Sequence, residues 1–200
     1  MTDTTEDLVV LLDDAGRPAG TAPRATVHDD RTPLHLAFSC YLFDTDGRLL
    51  LTRRALTKRT WPGVWTNSFC GHPCPGEAVG DAVHRYAARE LGTQVRDLEC
   101  LVPGFRYRAV DAAGVVENEL CPVYAATTAA PLAPAPEEVA DLRWTSLDEL
   151  REAIASAPEA LSPWMVEQVA VVDAGTGWPA VAAAATSEAS TAAPAAGSLR

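Results

Sequence analysis

Apolar residues fall along the chain in short dense runs, separated by clusters of turn-forming residues. Leu8–Leu12 is one such run, closed by Asp13-Asp14-Ala15-Gly16, and reads as a strand entering a turn. Leu34 to Phe43 reads as a buried strand. Asp44-Thr45-Asp46-Gly47 then turns the chain into Leu49–Thr52, which predicts a hairpin. Residues 54–63 form a basic loop ending in Pro62-Gly63, and Val64–Phe69 reads as a further strand. Over 77–91 the period changes to that of a helix, with Val79, Val83, Tyr86/Ala87 and Leu91 on one face and Gly92 as its stop. Strands are expected at 98–109 and 115–125, a Pro/Ala-rich linker at 129–136, and a short strand near 139–144. Ser146 with Glu149 three residues on is a capping-box signature, and Ser162-Pro163 opens a last helix.

Strands interleaved with a few helices predict an α/β (α+β) single domain over residues 1–173, with 1–7 as a loose arm. Residues 174–200 are Ala/Ser/Thr/Pro-rich with almost no large apolar side chain, and read as a disordered low-complexity tail. The whole chain has 200 residues, and 48% apolar content excludes wholesale disorder. A net charge of −11 argues against a nucleic-acid binder and against an anionic membrane surface. That charge is uneven. Residues 1–14 hold five acids and no base, 15–136 hold 12 acids and 13 bases, and 137–173 hold nine acids and two bases. The acidity therefore reads as a feature of the periphery. Inside the balanced block, Arg53, Arg54, Lys58 and Arg59 put four bases into seven residues.

Five cysteines, an odd number, follow an N-terminus that lacks a basic-then-apolar leader pattern, and no apolar run approaches a membrane span. The expectation is a reducing cytoplasm and no disulfide scaffold. Cys40, Cys100 and Cys121 sit in apolar runs and are expected to pack in the core. His84 is expected to be structural.

The segment Gly71–Thr93, GHPCPGEAVGDAVHRYAARELGT, places Glu77, Arg85, Glu90 and Gly92 in a loop–helix–loop frame that resembles the Nudix signature. A Nudix pyrophosphohydrolase carries further acids where this chain has Tyr86 and Arg89. Diphosphate hydrolysis needs several carboxylates to hold divalent ions and orient water. The frame thus predicts the Nudix-type α/β/α sandwich, with a mixed sheet and an N-terminal extension, put to another use.

Other motifs occur in a fixed order: Leu34–Ser39, Arg53-Arg54-Ala55-Leu56, Trp61–Ser68, Cys70-Gly71-His72-Pro73, Phe105-Arg106-Tyr107-Arg108, Val116-Glu117-Asn118-Glu119 and Ser162-Pro163-Trp164-Met165. Together they closely resemble the type I isopentenyl-diphosphate isomerase family, over roughly residues 24–168. The resemblance implies an enzyme that interconverts isopentenyl and dimethylallyl diphosphate by protonation and deprotonation. It implies Cys70 and Glu119 as the acid/base pair, with Tyr107 as a nearby proton relay. Trp164 would face a cationic intermediate, and Arg24, Arg54 and Lys58 would contact the diphosphate. Glu77 and Arg85 are expected to serve helix–loop geometry.

Glu117 and Glu119, two apart on a strand, share one face, with Asn118 on the other. With His28, His35 and His72, which the resemblance singles out because they fall in its matching segments, they make a five-ligand set suited to Mn²⁺ or Zn²⁺. Glu90, the substrate's phosphate oxygens and the Cys70 carbonyl would hold Mg²⁺. The expected partner is a small prenyl diphosphate, with no nucleic acid and no membrane, on a monomer or weak dimer. Two other readings stay open: a Nudix pyrophosphohydrolase, and a non-catalytic metal- or diphosphate-binding module. Singly, Cys70 reads as a small buried hydrophobe, and Trp164 as a core anchor for the last helix.

Overall fold

The computed structural model describes residues 8–175 and 177–183. The N-terminal arm 1–7 and residues 184–200 of the expected tail lie outside the described residues. Among the described residues, twelve strands build two mixed sheets, and three α-helices accompany them. One sheet has the order β2-β1-β3-β10-β9, from Pro18–Pro23, Leu8–Leu12, His35–Leu36, Val116–Leu120 and Arg106–Val110. The other has the order β12-β5-β4-β11-β8, from Val139–Thr145, Leu49–Arg54, Phe38–Phe43, Val123–Thr127 and Arg96–Val102. Two short strands, β6 (Trp65–Thr66) and β7 (Phe69–Gly71), pair with β5 and β4 respectively. The helices are α1 (Val79–Leu91), α2 (Leu147–Ser156) and α3 (Pro163–Ala174).

All six residues of β4 are buried. Alternation sends Phe38, Cys40 and Leu42 to one face, where they meet Ala82, Val83, Tyr86, Ala87 and Leu91 of α1. It sends Tyr41 and Phe43 to the other, where they meet Leu147 and Leu150 of α2 and Trp164, Met165, Val169 and Val172 of α3. A strand covered on both sides is apolar at nearly every position, which is why 38–43 carries no polar/apolar alternation; its one polar exception, Ser39, is hydrogen-bonded. These layers are the expected α/β/α sandwich. Gly92 ends α1 in the left-handed region (φ 59°), and Ser146 with Glu149 forms the expected capping box on α2.

Three expected strands are each two strands. The 34–43 run breaks at Ala37, 98–109 breaks at Pro103–Phe105, and 115–125 breaks at Cys121-Pro122. In all three the chain leaves one sheet and enters the other at the break. The breaks lie side by side: the Ala37 amide donates to the Leu120 carbonyl, that of Ser39 to Pro122, and that of Cys121 to Phe105. Proline at 103 and 122 cannot donate to a ladder, and each falls where the ladder stops. The 64–69 run is also interrupted, at Asn67-Ser68, where side chains replace backbone partners. The Ser68 hydroxyl donates to the Leu50 carbonyl and accepts from the Leu42 amide. The exposed strand β2, with its Pro/Ala/Gly/Thr sequence, has no periodicity to announce it.

Of the segment from 174 onward, some described residues are packed. Trp178 lies edge-on against Tyr41 and Phe43, at ring distances of 5.0 and 6.1 Å, and Ala182 is buried. Among the described residues no helix is long and apolar enough to cross a membrane. The cysteines form no disulfide among the described residues. Cys40 and Cys121 are buried as expected, whereas Cys100 is exposed on β8, the edge strand of its sheet. His84 is exposed on α1.

Candidate active site

The two sheets part where the three segments switch, and the gap between them is lined with chemistry. Register builds its floor. On β10, Glu119 stands beside His35 of β3 and beside Tyr107 of β9, so the three side chains form one row across the sheet. The Tyr107 hydroxyl donates to Glu119 Oε2 at 2.9 Å. Glu119 Oε1 lies 3.3 Å from His35 Nε2 and 3.2 Å from His72 Nε2. Glu117, one pleat away, is also buried, while Asn118 turns to the Thr32 carbonyl. Across the gap Cys70 of β7 pairs with Ser39 of β4, and His72 follows one residue past the end of β7.

A single cavity is lined by Cys70, His72, Tyr107, Glu117, Glu119, Glu90, His28, Trp164, Arg24, Arg54, Lys58 and Arg59, among others. Every site residue expected from the sequence lies on that wall except His35, which is fully buried beneath it. The wall also holds residues that sequence reading passed over. Arg59 was visible as part of the basic cluster. Thr60 was not, although its hydroxyl donates to Glu117 Oε1 at 2.6 Å. Tyr86 occupies the cavity edge against the Gly71 backbone, where a Cβ on Gly71 would come within 2.5 Å of its ring.

Four of the five expected metal ligands converge: one atom each from His28, His35, His72 and Glu119, all within 4.8 Å of one another. Glu117 stands apart from that group, held by Thr60, with Oε2 3.1 Å from His28 Nε2. The site fits a divalent ion on three counts. His28 Nε2 is buried and has no hydrogen-bond partner of acceptable geometry, Glu117 being close but misaligned. His35 Nδ1 lies 2.9 Å from the Pro33 carbonyl, which only accepts, so a proton sits on Nδ1 and Nε2 faces the cluster. The third count is charge. Burial disfavours ionised Glu119, yet hydrogen bonds from His35 and His72 hold it well below the usual carboxylate range. Burial pushes His72 down despite the same carboxylate, while for His35 Glu119 outweighs burial and the pKa rises. A cation and an imidazolium proton are therefore alternative occupants of one anionic, imidazole-lined centre.

Around Glu90, among the described residues, no group of three ligating side chains forms. Burial raises this carboxyl to about 7, against the pull of nearby Lys58. Lys58 is paired with Glu138, which also lies 3.4 Å from Arg89. Glu138 belongs to the acidic 137–173 block, so that block is not wholly peripheral. Arg54 donates to the Thr60 carbonyl and hydroxyl, and its guanidinium stands 5.4 Å over the Trp164 ring. Trp164 is 2% exposed and donates from Nε1 to Asn67 Oδ1, so it anchors α3 as well as lining the cavity. The pair Glu77/Arg85 does serve helix–loop geometry. Arg85 donates to both Glu77 carboxylate oxygens, at 2.8 and 2.6 Å, and to the His72 carbonyl, and also reaches Cys74 Sγ.

The chain matches the NUDIX domain over residues 33–165. It is 58% identical to an isopentenyl-diphosphate Delta-isomerase of Clavibacter michiganensis subsp. michiganensis, across 82% of this chain and 84% of that protein. The chain belongs to the isopentenyl-diphosphate Delta-isomerase family. A second member, from Mycolicibacterium vanbaalenii, is 58% identical over 86% of this chain and 94% of its own length. Among solved structures, Deinococcus radiodurans DR0079 aligns at TM-score 0.64 and 20% identity, covering 82% of this chain and 97% of that one. The MutT protein of Methanosarcina mazei aligns at TM-score 0.55 and 18% identity, over 72% of this chain and 96% of its own. These likenesses show a Nudix fold beneath the isomerase family's sequence. At the two positions where a Nudix hydrolase carries further acids, Tyr86 packs edge-on against Phe38 and Arg89 faces Glu138.

Proposed function

We propose that this protein interconverts isopentenyl diphosphate and dimethylallyl diphosphate, moving a carbon–carbon double bond within a five-carbon chain. The observation that carries the proposal is one cavity lined by a thiol, a carboxylate bonded to a phenol, and a set of cationic side chains. The reaction adds a proton at one carbon and removes one from another. Cys70 and Glu119 are the acid/base pair, and Tyr107, already hydrogen-bonded to Glu119, relays the proton. Burial raises the Cys70 thiol to about 11, so at neutral pH it holds a proton to give. Glu119, held well below the usual range, is a carboxylate able to take one. Which of the two gives the proton reverses with the direction of the reaction.

Arg24, Arg54 and Lys58 bind the diphosphate, and Trp164 presents its ring to the cationic intermediate, a contact worth about 2 kcal/mol when desolvated. The Arg54 guanidinium over that ring supports the assignment, since the ring already holds a cation. His28, His35, His72, Glu117 and Glu119 would hold Mn²⁺ or Zn²⁺. Glu90 and the Cys70 carbonyl would hold Mg²⁺ together with the diphosphate. When bound, these ions supply positive charge that neutralises the buried acids and the phosphate oxygens. The missing hydrolase acids support isomerisation over hydrolysis.

The test is incubation with isopentenyl diphosphate, Mg²⁺ and Mn²⁺ in D₂O, followed by NMR. Deuterated dimethylallyl diphosphate is the expected product, lost in Cys70→Ala and in Glu119→Gln while both variants keep the native circular dichroism. Release of phosphate or pyrophosphate, or unchanged substrate with a folded, metal-loaded protein, would overturn the proposal.

A further inference from the structure

Behind the cavity wall lies a buried polar network. Tyr41, Ser39, Asn67 and Gln168 are each fully buried, and none of them lines the cavity. The Tyr41 hydroxyl donates to Gln168 Oε1 at 2.9 Å, and Gln168 Nε2 donates to Ser39 Oγ at 2.9 Å. Ser39 Oγ lies 3.3 Å from Cys70 Sγ and 3.4 Å from Cys121 Sγ. On the other side Asn67 Nδ2 donates to the Cys40 and Phe69 carbonyls, which fixes the amide so that Oδ1 faces Cys70. That oxygen accepts from Thr66, from Trp164 and, at 3.2 Å, from the Cys70 thiol.

One set of directions makes all of these contacts at once. Asn67 Oδ1 can only accept, so the Cys70 proton points to it. The sulfur then turns its lone pairs to Ser39. The Ser39 oxygen already accepts from Gln168, so its own proton goes to Cys70 Sγ, and its remaining lone pair faces Cys121. The geometry points to Gln168, acting through Ser39, as a positioning residue for the Cys70 thiol. It fixes which way the S–H bond points and polarises it by a hydrogen bond into the sulfur. This inference rests on the proposed role of Cys70. It adds that α3 holds the reacting thiol from behind, through a residue that touches no substrate.

The test uses Gln168→Met, which removes the donor at similar volume, and Gln168→Glu. The buried acid of the second variant stays protonated, keeps an acceptor for Tyr41 and restores a donor for Ser39. Two readouts are taken. One is kcat and KM for isopentenyl diphosphate. The other is the infrared S–H stretch of Cys70, isolated by difference against Cys70→Ala, which does not depend on turnover. In Gln168→Met the stretch should move to higher frequency and kcat fall by about tenfold or more, with KM changed less than about twofold. Gln168→Glu should restore both. Should Gln168→Met not fold, Ser39→Ala set against Gln168→Glu gives the same comparison. An unmoved S–H band with kcat within about twofold of the parent, in a folded variant, would overturn the inference while leaving the isomerase reading intact. Absence of isomerase activity in the parent protein would overturn that reading instead.

Discussion

The Cys70 thiol and the Glu119 carboxylate reach opposite protonation states by different physics. Cys70 is raised by desolvation, only partly offset by its hydrogen-bond contacts with Ser39 and with the Asn67 oxygen that accepts from it. Glu119 is as deeply placed, but two imidazoles and a phenol hold its charge. The imidazole cluster beside it should respond to metal. Adding Mn²⁺ or Zn²⁺ to chelator-treated protein should raise Tm, because binding to the folded state alone stabilises it by mass action. His28→Ala should remove most of that shift, since His28 Nε2 makes no hydrogen bond and is the proposed ligand atom left over for a cation; a full shift in the variant would refute the assignment. His35, His72 and Glu119 were legible because each sits in a distinctive local motif, whereas His28 follows a polar loop and was singled out by the family resemblance alone. The offset of Glu117 was not legible, because it depends on Thr60, a residue distant in sequence with nothing to mark it. Asn67 and Gln168 were silent for the same reason: their roles lie in contacts between elements.

Helix α1 and the loop before it show how an element can be legible where its chemistry is not. Its apolar face and its Gly92 stop follow from spacing, and its Glu77/Arg85 pair from the resemblance to the Nudix frame. That Tyr86 would plug the cavity edge against Gly71 depends on β7, which no periodicity announced. Glu77→Gln should cost roughly 1–3 kcal/mol at pH 7, the range for a charge-assisted hydrogen bond. The Arg85 hydrogen bond lowers the Glu77 pKa below its usual 4.5, with a smaller opposing effect of burial. Its contribution is therefore fully present above the unfolded pKa and lost as pH falls through the folded one. Urea unfolding of protein and variant should differ at pH 7 and converge as pH drops below about 4.5. A gap that persists into strong acid would mean that Glu77 acts by packing alone. The strand breaks were the least legible elements. Apolar continuity hid them, and only Pro103 and Pro122 stood as local marks.

At the scale of the whole molecule, the core extends further along the chain than composition suggested. Trp178 stands in an Ala/Gly/Thr-rich stretch, yet it covers Tyr41 and Phe43, and its Nε1 donates to Asp173, which is paired in turn with Arg151. Trp178→Ala should destabilise by about 2–3 kcal/mol, less than full burial would cost because the ring is only half-buried. Thermal unfolding measures it, and an unchanged Tm would show the contact to be incidental. The charge balance changes in the same way. Glu138 carries acidity from the C-terminal block to Lys58 and Arg89 beside the cavity, so the local field there is set by paired charges and not by the net −11.

The crossing of three segments of the chain from one sheet to the other governs how the molecule is made. The row His35–Glu119–Tyr107 rests on a parallel pairing of β3 with β10, segments far apart in the chain, and Ser39 and Val123 are joined the same way one sheet over. Such pairings close long loops before their contacts form, which slows folding. No partial structure that contains a single sheet holds both Cys70 and Glu119. During refolding, acid/base competence should arise in the same kinetic step as native tertiary packing, with no early species that binds substrate productively.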